Sequence, residues 1–254
     1  MGCGDGKLIS HLLDALPLLQ PHRTIECHGF DVADAGVQVA GFMNRTIEDL
    51  SDRHPNIDWR ERLVLISNED PWPYREGQFD FITSNQVMEH VRDHPFVFRE
   101  IARCLAPGGL SLNLFPVREV LFEGHALMPL VHKIRDTDRR ARCMGLLARA
   151  GFNRNYLRDR ERHGWTSIEE YARKFSRILE EDTNYVSGRQ LLQMAERAGL
   201  GASFLHTKDF YRAKAWSYLG KRSYNYRDWG PGEHLAYSVL KYVSSVTFVM
   251  RKDG

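Results

Sequence analysis

The chain has 254 residues, of which 43% are hydrophobic and 11% aromatic, enough to bury the core of one large domain or of one domain with a lid. Lys+Arg 35 against Asp+Glu 33 leaves a formal charge of +2, so no chain-wide field argues for nucleic acid or an anionic membrane. The four cysteines, Cys3, Cys27, Cys104 and Cys143, form no C-x-x-C pair, which disfavours a zinc ribbon or a disulfide scaffold; with no secretory leader and no bilayer-length apolar run, a cytoplasmic protein is expected.

The chain opens on Gly2-Cys3-Gly4-Asp5-Gly6, a turn whose alternate glycines permit tight turning and close approach of a ligand to bare backbone. Apolar residues at Leu8, Leu12, Ala15 and Leu16 predict a helix over residues 7–16, ended by Pro17. Residues 23–30 read as a short strand with Ile25 and Cys27 on one face, terminating at Asp31. Residues 37–49 read as a helix and 61–67, through Leu63, Val64, Leu65 and Ile66, as a fully buried strand. Pro71-Trp72-Pro73 makes the next connection irregular.

Residues 79–84 predict a strand, followed by a helix start near Gln86 and a helix over 93–105 with Val97, Ile101, Cys104 and Leu105 on one face. Pro107-Gly108-Gly109 stops that helix, and Leu110, Leu112 and Leu114 alternate along a strand over 110–115. From 117 to about 182 the pattern is helical, arginine-rich and without strand signals, as in an insertion. A helix over 187–198, a strand over 202–207, a helix over 232–243 and a terminal strand over 245–251 complete the chain. Alternating strands and helices predict an α/β class: a doubly wound, mostly parallel sheet with a helical lid insertion and an antiparallel terminal strand.

In such sheets ligands bind beyond the carboxyl ends of the strands. The loops to watch are therefore residues 2–6, Asp31, residues 67–70 and residues 85–90. A carboxylate at Asp31 suits two ribose hydroxyls, and the polar loop near Asn68 suits the edge of an adenine.

The glycine turn, the acidic strand end, Trp72-Pro73-Tyr74 with Gly77-Gln78-Phe79-Asp80, Val87-Met88-Glu89-His90-Val91, and Leu105-Ala106-Pro107-Gly108-Gly109 together resemble a class I S-adenosylmethionine-dependent methyltransferase of the broad type-11 kind. The likeness covers residues 1–116 and, more weakly, 185 to the end. It implies S-adenosyl-L-methionine as cofactor, with Gly2, Cys3, Gly4 and Gly6 under the methionine part and Asp31 on the ribose. Asn68 stands where many members carry an aspartate to the adenine amino group, Glu69 offers backbone N–H near the ring, and Asn85 and Gln86 match the loop beside the sulfonium. It also implies an upstream strand with an acid two positions ahead of Gly2, so we expect that the recorded start is too late or that the sequence is a fragment.

The implied domains are a cofactor-binding half over 1–116, a lid over 117–184 and a C-terminal part over 185–254. Methyl transfer to an oxygen of a small-molecule or saccharide-like acceptor is the leading expectation, nitrogen and carbon being less favoured, with His90, Glu123 and His125 as catalytic candidates and His132 behind them. Glu89 reads as part of a solvated helix turn. No metal is expected, because Pro129 interrupts His125 and His132 and no third ligand is well spaced. The nine arginines between 135 and 162, against four acids, read as a solvated face, and Tyr218, Tyr224, Tyr226 and Trp229 as core and lid packing. The expected partner is a small molecule, with neither membrane nor nucleic acid. An RNA-modifying enzyme and a non-catalytic methyltransferase-like protein stay open as alternatives. A nicotinamide oxidoreductase ranks low, because Lys7 stands where its fingerprint needs glycine and Asp5 would repel a pyrophosphate.

Overall fold

The computed structural model describes residues 1–32, 41–221 and 232–254. Residues 37–40 of the expected helix lie outside that range, as do Arg222, Tyr224, Tyr226, Arg227 and Trp229. The chain forms two compact units, Met1–Tyr74 and Arg75–Gly254.

The first unit contains helix α1 (Lys7–Leu19), strand β1 (Gly29–Val32), helix α2 (Phe42–Arg53), the single turn α3 (Trp59–Arg62) and strand β2 (Leu63–Ile66). Its core is Ile9, Met43, Ile47, Leu50, Trp59 and Leu63. α1 does not stop at Pro17 but runs two residues past it. Pro17 sits in the last turn, beside exposed Leu18 and Leu19, so the carbonyl it leaves without an amide partner is open to water.

β1 starts later than residue 23 and runs one residue beyond Asp31, because a strand is as long as its ladder. β2 pairs with it in parallel over four residues, Gly29 with Leu63 through Val32 with Ile66. β2 is not fully buried: among the described residues this strand is hydrogen-bonded to β1 alone, and Leu65 is exposed.

The second unit holds β3 (Phe79–Asn85), α4 (His94–Cys104), β4 (Leu105–Pro116), the hairpin β5 (Phe122–Glu123) and β6 (Met128–Pro129), α5 (Thr137–Arg149), α6 (Arg154–His163), α7 (Ile168–Asp182), α8 (Gly188–Arg197), β7 (Leu200–Ser203), α9 (Thr207–Tyr218), α10 (Glu233–Leu240) and β8 (Ser245–Lys252). The sheet order is β3-β4-β8-β7, with β3 and β4 parallel and β8 antiparallel to both neighbours. Three strands thus share one direction and the terminal strand opposes them, in keeping with the expected α/β class.

β8 is central and buried from Ser245 to Met250. Its Phe248 ring lies 5.9 Å from Phe98, 6.3 Å from Phe115 and 4.9 Å from Phe204. In β4 the alternating Leu110, Leu112 and Leu114 are not the most buried positions. Ser111, Asn113 and Phe115 are, and the polar pair is satisfied internally: Ser84 Oγ donates to Asn113 Oδ1 at 2.6 Å, and Asn113 Nδ2 to Ser111 Oγ at 2.9 Å.

Helix starts carry their caps. Asp93 accepts from Phe96 N–H, Asp136 from Arg139 N–H and Ser167 from Glu170 N–H, while Ser187 and Gln190 form a capping box. Gln86 starts no helix, since its φ is +55° and only a 3-10 turn, Met88–His90, follows before α4.

Two further expectations need correcting. The 117–182 segment is mostly helical but contains the β5–β6 hairpin, too short to show a period of two. Arg140, one of the nine arginines, is buried rather than solvated, and its guanidinium donates to the carbonyls of Ile134, Ser176 and Arg135. The sequence pattern does not predict α9, and Tyr218 at its end is exposed rather than packed in a core or lid. α5 and α7 close their own core of Met128, Val131, Met144, Trp165, Tyr171 and Leu179.

Phe248→Ala would remove the ring shared by three others, and we expect a loss of about 3–5 kcal/mol in urea unfolding. A loss under about 1 kcal/mol would show that this strand is not the centre of the core.

Candidate active site

In the first unit the glycine turn folds back on β1. Gly2, Gly4 and Gly6 have φ of +63°, +50° and +71°, a region other residues enter at a cost. The side of the turn facing α2 is closed: a Cβ on Gly6 would stand 2.8 Å from Leu50 Cδ1. Cys3 N–H donates to Phe30 O at 3.0 Å, and Gly4 N–H to Asp31 Oδ2 at 2.7 Å. Asp31 Oδ1 accepts from Val32 N–H at 2.9 Å. The turn and the acid are therefore brought together as the sequence implies, although Asp31 is spent partly on holding the turn. Each of its oxygens keeps lone-pair capacity for one ribose hydroxyl, so the donor set fits that group. Cys3 is a poor nucleophile, its thiol pushed up to about 12 by burial.

Asn68 and Glu69 are exposed on the loop after β2, in a turn closed by Ser67 N–H to Asp70 Oδ2 at 3.0 Å. In the second unit Asn85 ends β3, and Gln86 is tied down: its N–H donates to Leu114 O at 2.8 Å and its side chain to Ser245 Oγ at 2.8 Å.

The catalytic candidates converge in the second unit. Glu123, wholly buried on the β5–β6 hairpin, accepts from His125 Nδ1 at 2.7 Å, from Tyr185 Oη at 2.7 Å and from Ala126 N–H. Burial pushes its pKa up, but the His125 hydrogen bond and charge, with the other donors, outweigh it and hold the carboxyl below its usual range. The reverse holds for His125. Burial would lower it, yet the Glu123 bond and charge leave it above the ordinary histidine value.

His90, on the 3-10 turn, lies with its ring 5.1 Å from that of His125 and donates Nδ1–H to Asp182 O at 2.6 Å. Burial lowers its pKa. His132 is set apart: its ring is 4.9 Å from Tyr185, and its Nε2 bonds Arg118 O at 3.2 Å.

Glu89 is the residue the sequence misjudged. It is 1% exposed, not solvated, and neither carboxylate oxygen has a hydrogen-bond partner among the described residues. Burial pushes it up to about 7. His94, not singled out by sequence, supports this turn from beneath. Its Nε2–H donates to Met88 O at 2.9 Å, and burial takes it down to about 4. Asn184 completes the clamp by donating its N–H to Glu89 O and its side chain to Val91 O and Arg92 O. The only signals available in sequence were the adjacent Glu89-His90 and the pair Glu123 and His125 two residues apart.

Comparisons with known proteins identify the family. Residues 1–202 match the model of a family described as a methyltransferase domain. Over 125 residues the chain is 31% identical to the ubiquinone biosynthesis O-methyltransferase of Albidiferax ferrireducens, an alignment covering 48% of this chain and 43% of that protein. The chain thus spans under half the length of the curated relative it matches. Among solved structures, geranyl diphosphate C-methyltransferase from Streptomyces coelicolor A3(2) is 14% identical at a TM-score of 0.43, covering 100% of this chain and 69% of that one. PKMT2 from Rickettsia typhi is 14% identical at a TM-score of 0.45, covering 98% and 47%. Nothing about substrate follows from likenesses at that level.

Replacing Glu123 by Gln removes the charge that favours the His125 imidazolium, so the His125 titration midpoint should fall. Nitrogen-15 NMR of the ring reads this directly. An unchanged or higher midpoint would mean that the pair is not coupled as described.

Proposed function

The chain belongs to the methyltransferase-domain family, whose methyl donor is S-adenosyl-L-methionine, and from that premise we propose that it methylates an oxygen of a small-molecule or saccharide-like acceptor. The observation that carries the acceptor side is the buried, unpaired Glu89 beside His90 and the Glu123-oriented His125. The relative's name records O-methylation, which supports oxygen as the acceptor atom.

On this reading Gly2, Cys3, Gly4 and Gly6 present backbone to the methionine part, and Asp31 accepts from the ribose. Asn68 and Glu69 meet the adenine. The bound donor supplies a methyl group already activated by positive sulfur: its C–S bond breaks as the C–O bond forms, leaving the demethylated thioether. A hydroxyl must also lose its proton, and we place the acceptor oxygen at the Glu89, His90 and His125 group, whose bases take that proton or pass it to solvent. Glu123 acts through His125 by fixing which nitrogen faces that oxygen.

Calorimetry tests the donor half. Saturable binding of S-adenosylmethionine and of its demethylated product is expected, weakened tenfold or more in Asp31→Ala. No heat with either ligand would sink the methyltransferase reading. Turnover tests the acceptor half, with labelled donor and a panel of phenols, catechols and glycosides: at saturating donor, His125→Ala should lose on the order of 10²-fold or more in kcat. Unchanged kcat would remove His125 from the chemistry.

A further inference from the structure

We propose that Glu89, His90 and His125 bind one divalent transition-metal ion, through the Glu89 carboxylate and the Nε2 atom of each imidazole, with open positions left for an oxygen ligand. One ligand atom from each residue lies within 4.8 Å of the others. Bonds of about 2.0–2.2 Å would draw them closer than that.

Three features make this more than proximity. The first is the second shell. His90 gives Nδ1–H to Asp182 O at 2.6 Å and His125 gives Nδ1–H to Glu123 Oε1 at 2.7 Å, so in the neutral tautomers both Nε2 lone pairs are free. Ligand histidines are oriented in this way, by a backbone carbonyl or a carboxylate on the far nitrogen. Glu123 is itself locked by Tyr185 Oη and Ala126 N–H.

The second is Glu89. A carboxylate 1% exposed, with both oxygens lacking hydrogen bonds, is a polar group left unpaid in a fold that satisfies Ser84, Ser111 and Asn113 nearby in sequence and sheet. A cation between it and the imidazoles supplies the missing partner. The third is access: the His125 side chain is 36% exposed while Glu89 is covered, so the group has a closed floor and an open side.

Two imidazoles and one carboxylate favour zinc, iron, cobalt or manganese over magnesium or calcium, which take oxygen ligands. The inference deepens the reading of this cluster as the acceptor side. With the ion bound, His90 and His125 are ligands, and a hydroxyl coordinated at an open position releases its proton to solvent because coordination makes it a stronger acid.

The test needs neither donor nor acceptor, so it fails or succeeds apart from the methyltransferase reading. The full chain is treated with chelator, desalted and titrated with Co²⁺ under visible spectroscopy, with Zn²⁺ by chelator competition and with Mg²⁺ as contrast. Expected is one equivalent of Co²⁺ with d–d bands, displaced by Zn²⁺ and not by Mg²⁺. Affinity should fall at least tenfold in Glu89→Gln and His125→Gln, and about tenfold in Glu123→Gln through the second shell. Melting curves without metal identify any variant that fails to fold, and His90→Gln then serves in its place. No stoichiometric binding, or binding that Glu89→Gln and His125→Gln both leave unchanged, overturns the proposal.

Discussion

The second unit is organised around one fully buried charge. A carboxylate removed from water is tolerated only when its lone pairs are met, and Glu123 meets this demand with a histidine, a phenol and a backbone amide. Those partners come from different places: His125 and Ala126 from the hairpin turn, Tyr185 from the segment after α7. The hairpin cannot shift without breaking them. Asn155 of α6 adds a further tie by donating to the His125 carbonyl. Beneath them α5 and α7 build a separate apolar core around Met144 and Tyr171, so the hairpin rests on packed side chains rather than on loop.

How much of this the sequence reveals depends on whether the determinant is local. Caps are local, and Ser187 with Gln190 or Asp93 before α4 place helix starts within a residue or two. The apolar run of β8 likewise shows a central strand. β1 and Pro17 are less legible because their outcomes depend on a partner strand and on solvent at a helix end. β4 misleads more seriously. Its alternating leucines mark the right period, yet Ser111 and Asn113 occupy the buried positions because they satisfy each other and Ser84.

The candidate residues divide in the same way. Gly4 and Asp31 are distant in sequence by 27 positions but join through a single turn and strand, and the glycine pattern announces the turn. Glu89 and His125 belong to separate segments with no shared motif. Nothing in Met88-Glu89-His90 distinguishes a solvated turn from a buried one until Asn184 and His94 are seen to clamp it from a segment some ninety residues away and from the head of α4. Burial of Glu89 is a tertiary fact. Periodicity over a three-residue turn carries no information about it.

Two carboxylates in one cluster with opposite environments are informative about chemistry. Glu123 has three donors and is held below the usual carboxylate range, whereas Glu89 has none and is pushed to about 7 by burial. If both served only the fold, the cheaper solution at position 89 would be an apolar residue of similar size, since a buried carboxyl without partners costs about 1–3 kcal/mol or more. Structural carboxylates are satisfied internally, as Glu123 is. A carboxylate left without a hydrogen bond among the described residues, facing two imidazoles whose far nitrogens are already committed, is what the proposed ion site asks for: a partner that arrives from outside the fold.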